Sequence, residues 1–185
     1  MKRLLLLLAL LLAGTAHATS PLPGDSVYQL AVPLTDQDGH TAAFAARRGT
    51  PQIVSMFYTS CTMVCPMIID TMKATRRAAG EPARLHLLAV SFDPARDSVD
   101  ALRRYAAAHK LDQRWWTLAR TAPQDTRSLA ALLGVQYRPL RDGEFNHSSA
   151  LLLLDGEGRI VARTDVIGRT DPAFVAAVRK AAGSK

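Results

Sequence analysis

Short apolar runs punctuate this chain and alternate with longer stretches whose apolar positions recur at helical spacing. Gln52 to Tyr58, Leu85 to Phe92, Trp115 to Leu118, Ala150 to Leu154 and Ile160 to Thr164 read as strands. Between them, Ile68, Ile69 and Met72 form a helical stripe, and Val99, Leu102, Tyr105 and Ala106 share one face of a helix over Ser98–Lys110. Asp125–Leu133 predicts a short helix closed by Gly134. Asp171 and Pro172 are an N-cap and a first helical residue, with Phe174, Val175 and Val178 facing inward. Pro66 suits a first helical position too, which makes Cys65 the N-cap of its helix. Near the start, VYQLAVPLTDQDGHTAAFAA predicts two strands around a turn at Asp36–Gly39. Asp155-Gly156-Glu157-Gly158 joins the last two strands. The sum is an α/β fold in three layers around a mixed central sheet, with an extra N-terminal β-hairpin.

That order of elements is thioredoxin-like. The first residues stand apart from it. Lys2 and Arg3 precede an unbroken Leu/Ala run to Ala13, and Ala16-His17-Ala18 places small residues at −3 and −1 of a cleavage site. The run is shorter than the ~20 residues a transmembrane helix needs. Residues 1–18 are therefore expected to be a cleaved secretory signal peptide, and 19–185 a single exported domain without a stable membrane anchor. The net charge of +7 falls to +5 when Lys2 and Arg3 leave, and the remaining basic residues are scattered. Nucleic acid is not an expected partner.

The only two cysteines are Cys61 and Cys65, in SMFYTSCTMVCPM. A helix start favours negative charge, and so favours the thiolates that redox chemistry and metal binding both use. A bridge closing so short a loop would gain little chain entropy, so a purely structural staple fits poorly. The spacing is Cys-x-x-x-Cys rather than the Cys-x-x-Cys of common oxidoreductases. Structural zinc wants four ligands, whereas two thiolates and one imidazole suit Cu(I). Of the histidines beyond the signal, His40 falls in a turn, His86 in a strand and His109 at a helix end, where a cation complements the dipole. His147, in a loop that feeds the apolar strand at 150–154, has a modest lead as the third ligand.

FYTSCTMVCP (57–66), SFDPARD (91–97) and HSSALLLLDGEGRIV (147–161), in this order and separation, resemble the Sco/SenC family of thioredoxin-fold copper proteins over about residues 25–182. The resemblance implies that Cys61, Cys65 and His147 bind copper, as Cu(I) and in some states Cu(II). It also implies delivery of copper to the binuclear copper site of cytochrome c oxidase, or reduction of that site's cysteines. A copper donor protein and a thiol reductant protein are implied partners, and the periplasm the implied compartment. The family commonly has Pro-Asp-x between the cysteines; here Thr62-Met63-Val64 puts a thioether in place of the acid. Asp93 and Asp97 match the family's Asp-Pro-x-x-Asp segment, and Asp97 or Ser98 is expected to cap the following helix. Two rival functions use the same residues: a thiol–disulfide reductase with Cys61 and Cys65 as its redox-active pair, and a redox or copper stress sensor. Met56 and Met72 read as core filler, while Met63 has no packing role and is a further soft donor.

Overall fold

A computed structural model describes residues 20–183. The expected signal peptide lies outside the described residues. Nine strands and four α-helices follow in the order β1 (Pro33–Asp36), β2 (Thr41–Ala43), β3 (Gln52–Phe57), α1 (Val64–Ala78), β4 (His86–Ser91), α2 (Val99–Ala108), β5 (Trp116–Arg120), α3 (Pro123–Leu132), β6 (Tyr137–Pro139), β7 (Phe145–His147), β8 (Leu151–Leu154), β9 (Ile160–Thr164) and α4 (Pro172–Ala182). Seven strands form one mixed sheet, ordered β2-β1-β5-β4-β3-β8-β9, and β6 and β7 form a separate two-stranded sheet.

The apolar runs become the central strands because they are covered on both sides. Every residue of β3 is buried, between parallel β4 and antiparallel β8. The expected N-terminal hairpin is present and extends the sheet by pairing β1 antiparallel to β5. The first part of its expected leading strand is instead a 3-10 turn at Val27–Gln29, capped by Ser26. Val27 and Tyr28 are both buried, which a half-exposed strand does not allow. Gln52 Nε2 donates to the Tyr28 hydroxyl at 2.6 Å, and the Tyr28 ring lies where a Cβ on Gly158 would sit. Only glycine fits there, and its φ of +79° is one glycine adopts freely.

Strand direction positions the site. β3 and β4 run parallel, so their chain exits share one end of the sheet. Ligand sites of open α/β sheets lie beyond that end. β8 runs against β3, so the residues entering β8 arrive where β3 leaves. Ser55 fixes this junction by donating to the carbonyl of Ala150 at 2.7 Å. On one flank of α1, Lys73 donates to the His109 carbonyl at the end of α2; on the other, Arg179 of α4 donates to the Ala78 carbonyl.

Candidate metal centre

The loop after β3 carries both cysteines into the first turn of α1. The helix starts two residues earlier than Pro66 suggests: Met63 is the N-cap, Cys65 the second helical residue and Pro66 the third. Proline is still tolerated, because N–H groups in the first turn have no intrahelical partner to lose. Met63 offers no oxygen to those orphan donors. The Cys61 sulfur takes one of them, accepting from the Cys65 amide at 3.4 Å. Both thiols are unbridged and buried, Cys65 completely.

Their environments differ. Burial opposes ionisation of Cys61, but the Cys65 and Met63 amides and the Cys65 thiol bring its pKa below the ordinary thiol value. At Cys65, burial pushes the thiol far up, and the neighbouring Cys61 charge adds to the rise. A first proton is thus easier to remove from the pair than a second.

His147 completes the group. One donor atom each from Cys61, Cys65 and His147 lies within 4.8 Å of the other two. His147 is the last residue of β7, where a loop was expected, so a hairpin holds the imidazole. Its Nδ1 lies 3.1 Å from the Ser148 carbonyl. A carbonyl only accepts, so the tautomer that satisfies this contact carries its proton on Nδ1 and leaves the Nε2 lone pair free for a metal. His40, His86 and His109 are not brought to the sulfurs. His40 sits at the exposed β1–β2 turn beside Asp36 and Asp38. His86 faces Trp115, and His109 stacks on Tyr105 at 4.1 Å between centroids. Burial and then Lys73 lower the His109 pKa, so it is not the helix-end cation the sequence suggests.

Side chains dock the hairpin to the cysteine loop, and of these the sequence singled out only Asp93 and Asp97. Phe92 lies under it, 5.0 Å from the His147 ring and 5.1 Å from Tyr137, with Phe145 and Tyr58 closing the cluster. The Tyr58 hydroxyl donates to Glu144 at 2.6 Å. Asp93 pairs with Arg96, which donates to the Gly143 carbonyl at 2.6 Å. Of the two expected caps of α2, Ser98 takes the position and Asp97 is buried. The Asp97 carboxylate instead accepts from the Thr59 amide and hydroxyl and from the Ser91 hydroxyl, tying the cysteine loop to the end of β4. Tyr58→Phe is expected to cost about 1 kcal/mol, the usual worth of one such bond. It should also speed amide hydrogen exchange at Asn146 and at Ser148, whose amide donates to the Gln136 carbonyl at 2.9 Å; exchange measured by NMR on both proteins checks this.

The SCO1/SenC family profile matches residues 25–183, nearly all of the described chain. The chain belongs to the SCO1/SenC family. Solved Sco structures share its fold. Bradyrhizobium japonicum ScoI with copper bound is 25% identical, with a TM-score of 0.67 over 80% of this chain and 95% of that one. Arabidopsis thaliana ScoI with copper bound is 20% identical, with a TM-score of 0.70 over 83% and 97%. BsSco, described as a member of the Sco family of cytochrome c oxidase assembly proteins and as carrying a disulfide switch, is 18% identical, with a TM-score of 0.69 over 83% and 92%. A comparison with curated proteins gives no match. The mixed sheet and its helices are thus the thioredoxin-like fold of Sco proteins. Among the described residues, no helix is long and apolar enough to cross a membrane.

Proposed function

We propose that this SCO1/SenC protein is an exported copper metallochaperone whose cargo is Cu(I). Cys61 and Cys65 supply thiolates and His147 a neutral imidazole. The observation that carries the reading is the meeting of these three donors from β7, the β3–α1 loop and the first turn of α1. Two soft sulfurs with one nitrogen select Cu(I) over hard cations, and the set falls short of the four ligands of structural zinc. Copper-bound relatives of the same fold support the choice of metal.

The acceptor in this reading is the binuclear copper site of cytochrome c oxidase, supported by the assembly role ascribed to BsSco. Export is supported by Lys2, Arg3, the Leu/Ala run and Ala16–Ala18, and in this reading the mature chain, 19–185, works in the periplasm. There a disulfide competes with the metal for the same sulfurs, so a thiol reductant protein must act before a copper donor protein can load the site. Titration of the reduced protein with Cu(I) against a competing chelator tests the reading. A one-to-one complex is expected, weakened at least about a hundredfold in His147→Ala, beyond what loss of a supporting residue does. Equal, weak binding by both proteins would overturn it.

The unequal thiols favour one second reading, a thiol–disulfide reductase. The Cys61 thiolate would attack a partner's disulfide, releasing one partner thiolate and forming a mixed disulfide. Cys65, losing its proton, would then displace the second partner thiol and close the Cys61–Cys65 bridge. Turnover of a disulfide substrate without copper distinguishes this from the chaperone.

A further inference from the structure

The three-donor site leaves two neighbouring sulfurs unused. Among the described residues, Met63 is 75% exposed and Met67 is 44% exposed, whereas Met56 and Met72 are buried as core filler. Met63 is the N-cap of α1, and Met67 follows one turn later. Residues four apart on a helix share a face, with Cβ atoms about 5–6 Å apart. Helical side chains lean toward the N-terminus, which carries the Met67 thioether back over the turn that Met63 begins. Cys61 and Cys65 flank Met63 in sequence, and both are buried. A soft ion approaching this helix end from solvent therefore meets thioether sulfur before thiol.

Given the Cu(I) reading of Cys61, Cys65 and His147, the geometry points to Met63 and Met67 as an outer thioether station that receives Cu(I) and passes it inward. Thioethers are soft, neutral ligands. They have no proton to lose and cannot be consumed by a Cys61–Cys65 disulfide, so they accept the ion when the thiols are not ready. The transfer is a ligand exchange. A copper–thioether bond breaks as a copper–thiolate bond to Cys61 forms, the thiol proton leaves to water, and copper stays in the +1 state.

The test separates this station from the inner site. In Cys61→Ser/Cys65→Ser protein with methionine methyl groups labelled with carbon-13, Ag(I), a redox-inert stand-in for Cu(I), is expected to shift the methyl signals of Met63 and Met67. Those of Met56 and Met72 should stay put. Oxidised wild-type protein, whose thiols are tied in a disulfide, repeats the titration without relying on the serine variant. In the reduced protein, Met63→Leu/Met67→Leu keeps the volume and apolar surface but removes both sulfurs. Cu(I) loading from a chelator, followed by stopped flow, is expected to slow at least about fivefold, with the final affinity unchanged within about twofold, because the thioethers serve arrival and not retention. Unmoved methyl signals overturn the station, and so does unchanged loading in the leucine variant. Failure of the inner site reads differently: the methyl shifts persist while the wild type forms no tight one-to-one complex.

Discussion

Asp97→Ala is expected to destabilise the protein by about 3 kcal/mol at neutral pH, because it strands buried donors rather than trimming a surface. The carboxylate is the shared acceptor for the Thr59 amide, the Thr59 hydroxyl and the Ser91 hydroxyl. Its removal leaves two chain segments, the start of the cysteine loop and the end of β4, without their tie. A fall in Tm of about 10 °C on thermal denaturation corresponds to that loss for a domain of this size. Burial raises the Asp97 pKa above its unfolded value, against the pull of Ser91 and Thr59. A raised carboxyl stabilises fully below the unfolded pKa, and that contribution fades as the pH climbs through the folded one. The penalty for Asp97→Ala should therefore be larger near about pH 4 than at neutrality. Denaturant unfolding at the two pH values checks the sign; a penalty that grew toward neutrality would show that the carboxylate is favoured in its charged form.

The second large effect concerns the thiols. Cys61→Ser and Cys65→Ser are each expected to lower Cu(I) affinity at least about a thousandfold, since a hydroxyl is a hard, protonated donor for a soft ion. They should differ in pH dependence. In the wild type, burial holds the Cys65 proton on well above the ordinary thiol range, so the metal must displace it. Each displaced proton makes affinity climb about tenfold per pH unit, because raising the pH removes the competitor. Cys65→Ser removes that proton, and its affinity should climb less steeply. Chelator competition at several pH values measures both slopes. Equal slopes in wild type and Cys65→Ser would place the displaced proton elsewhere.

The fold was legible where the apolar pattern is strong. β3, β4, β8, β9 and α4 lie within a residue or two of their expected bounds, since runs such as Leu151–Leu154 have no alternative to burial. The β6–β7 hairpin was missed, although Asp142-Gly143 carries the same turn signal that marks Asp38-Gly39. Its strands are three residues each, and their aromatic residues alternate with Arg138 and Asn146, too short a pattern to separate from a loop. The sulfurs were evident as a pair, but their inequality was not. It depends on burial and on the Met63 and Cys65 amides, whose directions no spacing reveals. Asp97 and Ser98 were equivalent as caps in the sequence, because either residue type before a helix can accept from its first amides. Ser98 takes that task, which frees Asp97 to turn inward.

The smaller sheet shares no backbone ladder with the larger one. β7 is held over the cysteines by side chains: Tyr58 on Glu144, Arg96 on Gly143, and the rings around Phe92. The imidazole therefore rides on a clasp and the sulfurs on a fixed seat. No ladder bond of the seven-strand sheet depends on that clasp, so in the proposed copper reading loosening it would reduce the grip from three donors to two with the frame still paired.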